Sequence, residues 1–214
     1  MSRTNEHYTQ MITGASLTQG SANSKWVMLR NEWNRSIRLM DEILNLPDGS
    51  VTTGGCPSAS LGLQAIGDLY FWLVCLVEPF WSLATKRQQI LKLALSPNLP
   101  RITTNSSALT QVLVELLTNA CKYTPVGERI TFSATLQSYQ LSLCVTNTGV
   151  EIPANQLPFI FEPYYRIPRN IRWHTDGTGL GLAFVKQLVD HIGATILVDS
   201  SVGCTKFTLL LPVS

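Results

Sequence analysis

Apolar positions along this chain follow two periods, and the places where one gives way to the other outline its elements. Trp26, Leu29, Trp33, Ile37, Met40 and Leu44 recur at spacings of 3, 4, 4, 3 and 4. That is the seam of a helix that packs against other helices. The stretch from Leu69 to Leu83 repeats the helical pattern through Trp72, Cys75, Leu76 and Phe80, with Pro79 predicting a bend or a late start. Residues 89–95 alternate as a strand. A Ser/Thr/Asn cluster then caps a second amphipathic run, Leu109, Val112, Leu113, Leu116, Leu117 and Ala120. The period shortens again in residues 129–137 and 140–147, two strands joined by Ser138 and Tyr139 as a hairpin. A glycine-rich stretch leads into a helix ending near His191, and residues 194–200 and 205–212 supply two last strands. This order predicts a mixed sheet with helices on one face, an α/β two-layer sandwich.

Between these elements the chain changes character. Residues 1–24 are rich in Ser, Thr, Asn, Gln and Gly without apolar periodicity, and read as a disordered tail. Residues 25–46 read as a bundle or dimerisation helix, with a helix folded back on the domain as the alternative, residues 47–62 as a Pro/Gly/Ser linker, and residues 63–214 as the folded domain. With 45% hydrophobic residues among 214, the chain can bury a real core. A net charge of +2 and the absence of a long basic run argue against nucleic acid as the main partner. Cys56, Cys75, Cys121, Cys144 and Cys204 are scattered, mostly in apolar contexts, and read as reduced core residues of a cytoplasmic protein. The longest apolar run, Leu69 to Val77, is far short of the ~20 residues a membrane span needs.

The candidate chemistry begins with Gly177, Gly179 and Gly181 at the mouth of the last helix. Glycine lets a bulky anion approach the main chain where unpaired N–H groups carry the positive end of the helix dipole. The same pattern also arises where a helix packs closely on a sheet, so alone it decides nothing. It is not a Walker motif, since no Gly-Lys-Ser/Thr follows, and no strand directly precedes it as in a dinucleotide fingerprint. Four blocks in series resolve the ambiguity: "ELLTNACKYTP" (115–125), "VTNTGVEIP" (145–153), "LPFIFEPYYRI" (157–167) and "GTGLGLAFVKQLVDHIGATI" (177–196). They resemble the N, G1, F and G2 boxes of the catalytic domain of sensor histidine kinases, members of the GHKL ATPase superfamily. The resemblance covers residues 63–214, and "LRNEWNRSIRLMDEILNL" resembles the second helix of the preceding dimerisation and phosphotransfer domain.

That resemblance implies a Bergerat-type α+β sandwich binding ATP and Mg²⁺. It makes Asn119 the Mg²⁺ ligand, a role that suits a neutral oxygen on a hard cation shared with phosphates. Glu115, one turn earlier, either assists the metal or acts as a general base, with a plain salt bridge as the bland alternative. Lys122 and Tyr123 match residues lining the phosphate and adenine sides of the pocket. Asn147 stands where the family usually has Asp, the acceptor for the adenine amine, so the bond loses its charge and adenine binding should weaken without vanishing. Gly149 keeps the turn under the base, Glu151 replaces the second glycine of the box, and Ile152 and Pro153 close it. Phe159 and Phe161 are expected to pack the following loop on the core. Arg166 resembles the arginine near the terminal phosphate. Gly177, Thr178, Gly179, Leu180 and Gly181 complete the cofactor-binding set, and residues 164–176 would be the gating lid.

One part of the pattern is missing. A sensor histidine kinase phosphorylates a histidine in a box resembling His-Glu/Asp-x-Arg-x-Pro, and none of His7, His174 or His191 lies in such a box. The resemblance therefore implies a phosphotransfer helix carrying the acceptor, and a response regulator, as partners. Assembly would be a homodimer or hetero-assembly through the helix at residues 25–46. Three functions stay open: a histidine kinase, split or a portion of a longer one, whose acceptor histidine lies in trans or in a part not in this sequence; a non-catalytic nucleotide-binding or dimerisation module; and an ATPase with Glu115 as base.

Overall fold

The computed structural model describes residues 63–167 and 179–213. The predicted helix at 25–46, its linker and most of the glycine-rich stretch lie outside the described residues. In chain order the elements are β1 (Gln64–Ile66), α1 (Leu69–Lys86), β2 (Ile90–Leu95), β3 (Ile102–Thr104), α2 (Ser106–Tyr123), β4 (Arg129–Gln137) and β5 (Gln140–Thr148). A 3₁₀ turn (Leu157–Phe159), α3 (Gly181–His191), β6 (Thr195–Ser201) and β7 (Cys204–Pro212) complete them. Five strands form a mixed sheet in the order β2-β4-β5-β7-β6, in which only the β2–β4 pair is parallel.

Alternation along the strands sorts the sheet into two faces. Register aligns Phe132 with Val145, Phe207 and Val198, and Ala134 with Leu143, Leu209 and Ile196. Nearly all of these are buried under the helices. The opposite face carries Thr131, Ser133, Thr135, Ser142 and Lys206, which are at least partly exposed. α1 packs on β2, α2 on β5 and α3 on β6, while α2 also contacts α1 and α3. The result is the expected two-layer α+β sandwich.

Local chemistry sets the element ends. Asp68 caps α1 by accepting from the Phe71 N–H at 2.9 Å, and Asn105 caps α2 by accepting from the Ala108 N–H at 3.0 Å. Ser138 and Tyr139 both take positive φ, 46° and 63°, the two-residue geometry that matches the twist of a hairpin. The late start that Pro79 allowed does not occur, and α1 runs continuously from Leu69 to Lys86. An interior proline costs about 3 kcal/mol. Burial of Leu73, Val77 and Phe80 on either side of it returns roughly 1.5–3 kcal/mol each, so tertiary packing decides.

The pairing of β1 with β3 into a separate two-stranded sheet was not predicted. Cys75, Cys121, Cys144 and Cys204 are free thiols, as expected. Burial, with Glu78 and Asp68 nearby, pushes Cys75 up to about 12, and burial, opposed by Arg87, pushes Cys121 up to about 11. Among the described residues no helix is long and apolar enough to cross a membrane.

Candidate functional site

The helical period of α2 places Glu115, Asn119 and Lys122 on one face, because residues four and three apart fall one above the other. The opposite face of the same helix buries Leu109, Leu113, Leu116, Leu117 and Ala120 in the core. Asn119 Nδ2 donates to Glu115 Oε1 at 3.4 Å, which leaves the Asn119 carbonyl oxygen as an acceptor. Burial pushes the Glu115 carboxyl above its usual range, while the Lys122 charge and the Asn119 hydrogen bond pull it back. Lys122 Nζ stands 5.3 Å from the centre of the Tyr123 ring, a cation–π contact that joins the charged and aromatic residues at the end of the helix.

The amino end of α3 meets this face. A Cβ at Gly181 would fall on Glu115 Oε1 and lie 2.8 Å from its Cδ. Only glycine admits the carboxylate there. The positive end of the α3 dipole favours that negative charge. Gly179 is glycine for a different reason. Its φ is +76°, and a Cβ would lie 2.8 Å from the Tyr164 carbonyl carbon. The Tyr164 N–H donates to the Gly179 carbonyl at 3.0 Å, so the two chain segments are fastened where they approach.

Leu180 precedes the helix and is half-buried, and Arg166 is exposed two residues beyond Tyr164. Gly177 and Thr178 lie outside the described residues, as do Arg169, Arg172, Trp173 and His174. In the F box Ile160 is buried and Phe161 half-buried, whereas Phe159 is 47% exposed and packs against Tyr165 of the following loop with ring centres 5.6 Å apart. The 3₁₀ turn directs Ile160 inward and its predecessor outward.

A second cluster forms at the end of β5. Asn147 is only 4% exposed, on the helix-covered face, in register with Ile130 on one side and Thr205 on the other. Among the described residues its carboxamide has no hydrogen-bond partner. Thr205, 2% exposed, donates to the Val150 carbonyl at 3.1 Å and lies 2.9 Å from the Ser200 hydroxyl, which accepts from the Ile152 N–H at 2.8 Å. This chain of hydroxyls ties residues 150–152 to the β6–β7 hairpin.

Gly149 takes φ +74°, and a Cβ there would lie 2.7 Å from Glu128 Cγ and 3.0 Å from the Pro125 ring. Pro125 and Glu128 belong to the turn that leaves α2, so the two clusters share one connection. The sequence singled out Asn147 and Gly149. It gave no reason to choose Ser200 or Thr205, since hydroxyl residues are ordinary in strands and only the register assembles them.

Gln89 and Arg87 also escaped the sequence reading. The Gln89 carboxamide, 8% exposed, donates to the Cys121 carbonyl at 2.9 Å and to the Thr124 carbonyl, while Arg87 Nη1 donates to the Cys121 carbonyl at 3.0 Å. These bonds satisfy carbonyls at the carboxyl end of α2 that helix geometry leaves open, and they fix the last turn carrying Lys122 and Tyr123.

Comparison with known proteins supplies the family and the fold. The family described as histidine kinase-, DNA gyrase B-, and HSP90-like ATPase matches residues 104–214. The chain is 36% identical over 104 residues to the sensor histidine kinase CusS of Escherichia coli O6:H1, covering 49% of this chain and 22% of that protein. It is 32% identical over 196 residues to the sensor histidine kinase ZraS of Escherichia coli K12, covering 91% of this chain and 39% of that protein. The chain thus spans less than half the length of these relatives. In structure it is similar to the catalytic domain of histidine kinase ThkA, with a TM-score of 0.61 at 20% identity, over 70% of this chain and 95% of that one. It also resembles ThkA in complex with response regulator TrrA, with a TM-score of 0.61 at 18% identity, over 98% of this chain and 56% of that one. The chain belongs to the histidine kinase-, DNA gyrase B- and HSP90-like ATPase family, and its folded part is a catalytic domain of the sensor histidine kinase type.

Proposed function

We propose that this chain binds Mg-ATP between α2 and α3 and transfers the γ-phosphoryl group to a histidine on a separate phosphotransfer helix. The observation that carries the reading is the approach of Glu115 to the amino end of α3 at Gly181, with Asn119 hydrogen-bonded to that carboxylate and the Lys122 charge acting on it. An acidic side chain, a neutral oxygen and an ammonium converge there on a helix dipole, a set of groups suited to a polyphosphate and its cation. Among the described residues no three His, Cys, Asp or Glu side chains gather to hold a metal by themselves. A cation bound here would therefore share the oxygens of the nucleotide. Asn119 Oδ1 would be its protein ligand, and the ion would supply positive charge to the phosphates.

The remaining work falls to the chain's own residues. Glu115 orients the Asn119 amide through their hydrogen bond, which leaves Oδ1 as the acceptor that would hold a cation. Lys122 sets an ammonium on the phosphate side, and Tyr123 offers a ring to the base. Arg166 would balance charge at the terminal phosphate during transfer. Asn147 and Gly149 would receive the adenine, and Gly177, Thr178, Gly179 and Leu180 would line the phosphates. In this reading residues 25–46 mediate dimerisation or hetero-assembly, and a response regulator receives the phosphoryl group from the histidine.

Labelled ATP, added to the chain alone and to the chain with an acceptor-helix domain from a related sensor kinase, tests the proposal. Transfer to the added histidine, with none to the chain itself, is the expected result. ATP binding without transfer or hydrolysis would instead make the chain a nucleotide-dependent interaction module, and hydrolysis without transfer would assign Glu115 as the base of an ATPase.

A further inference from the structure

The base end of the site differs from its phosphate end in one chemical respect. Its buried polar group is a neutral amide that nothing around it orients. Asn147 is 4% exposed, and among the described residues its carboxamide makes no hydrogen bond. Across β4 it faces Ile130, which has no polar side-chain atom. Across β7 it faces Thr205, whose single proton goes to the Val150 carbonyl. The Ser200 proton is likewise engaged, with Thr205 Oγ1 and the Cys204 carbonyl as its acceptors.

A carboxamide has one acceptor and one donor end of nearly equal shape, and a half-turn about its terminal bond exchanges them. A carboxylate in the same place accepts only. The two purine classes differ in this very respect. Adenine presents an amino donor at position 6 beside an acceptor at N1, whereas guanine and hypoxanthine present an oxygen acceptor at position 6 beside an N–H donor. A carboxylate would meet the 6-oxo group with two acceptors face to face, leaving both desolvated and unpaired, a penalty that rejects the wrong ligand. The amide at 147 can turn to meet either edge.

We infer that Asn147 makes this site permissive for the purine base, so that 6-oxopurine nucleoside triphosphates bind beside ATP. The inference rests on the nucleotide-site reading above and goes further by widening the substrate class. Selectivity would then come from the triphosphate and the ring rather than from the group at position 6. The hydroxyl chain through Ser200 and Thr205 would hold residues 150–152 in place whichever purine is bound.

Calorimetric titration of the full chain with Mg-ATP, Mg-ITP and Mg-GTP, repeated on Asn147→Asp, tests it. ITP is the deciding probe, because hypoxanthine has the 6-oxo group without the 2-amino group of guanine. The expected result is ATP and ITP affinities within about tenfold of each other for the wild-type chain, opening to a preference for ATP on the order of 100-fold in Asn147→Asp. Weaker binding of GTP than of ITP would locate a clash at the 2-amino group and leave the assignment of Asn147 standing. A wild-type chain that already prefers ATP over ITP by about 100-fold would overturn the inference. So would an unchanged ratio in a folded Asn147→Asp variant. If none of the three nucleotides binds, the failure belongs to the nucleotide-site reading itself, which the wild-type ATP titration identifies before any variant is made.

Discussion

The two ends of the proposed nucleotide site hold their polar groups by different means. At the phosphate end, Glu115 reaches the amino terminus of α3 with a flexible side chain, and its contact with Gly181 involves the tip of that side chain. At the base end, Asn147 and Thr205 are fixed by strand register, and two hydroxyls fasten the neighbouring loop. One end is charged and rests on a flexible side chain; the other is neutral and rests on a backbone fixed by strand register. In the proposed reading this division suits a site that places charge to fit a reacting phosphate and holds a planar base in a fixed backbone frame.

Two glycines in one box give the sharpest way to break the comparison. Gly179→Ala would place a side chain at positive φ and against the backbone of Tyr164, which cannot move aside. It should cost about 2–4 kcal/mol in urea unfolding. Gly181→Ala meets only the Glu115 carboxylate, which can swing away, so its unfolding free energy should change by less than about 1 kcal/mol. The same variant should weaken Mg-ATP binding by about tenfold, through loss of the charge and orientation that Glu115 contributes. Equal destabilisation by both substitutions would show that the Glu115 side chain at Gly181 yields no more readily than the Tyr164 backbone at Gly179.

At the base end, Thr205→Val leaves the Val150 carbonyl without its hydroxyl partner and takes from Ser200 one of its two acceptors, and should cost about 1–3 kcal/mol. Thr205→Ser restores the hydroxyl and should recover most of that loss in the same denaturation experiment. A smaller effect concerns pH. Burial raises the folded-state value for Glu115 above the 4.5 of a free glutamate, so in the interval above 4.5 the folded chain holds more protons than the unfolded one. Its contribution to stability must then fall as pH rises through that interval. Glu115→Gln removes the carboxyl, and its stability should decline less than that of the wild-type chain between pH 4.5 and neutrality. A wild-type chain with stability rising across this interval, and a variant that does not alter the trend, would contradict the burial of Glu115.

Much of this organisation was legible in the sequence where a period persists. α2, the β4–β5 hairpin and β7 run long enough for helical or alternating patterns to declare them. β1 and β3 have three residues each, too few to show a period, and they become strands only because they find each other. Continuation of α1 through Pro79 reflects burial that local propensity does not encode. Glu115 and Asn119 could be placed on a single helix face from spacing alone, but the approach of Glu115 to Gly181 depends on how α2 packs against α3. Ser200, Thr205 and Gln89 act through partners far away in sequence, and no local pattern marks them.

The central claim is that α2 and α3 together form a site for a metal–nucleotide complex, with Asn119 as the metal ligand. Calorimetric titration of ATP with and without Mg²⁺, on the wild-type chain and on Asn119→Ala, tests it most directly. The account predicts tighter binding with Mg²⁺ for the wild-type chain and loss of that difference in Asn119→Ala, a change at a half-buried position off the core face of α2 that should leave the fold intact. Wild-type affinity that is the same with and without Mg²⁺, or an undiminished Mg²⁺ effect in Asn119→Ala, would contradict it.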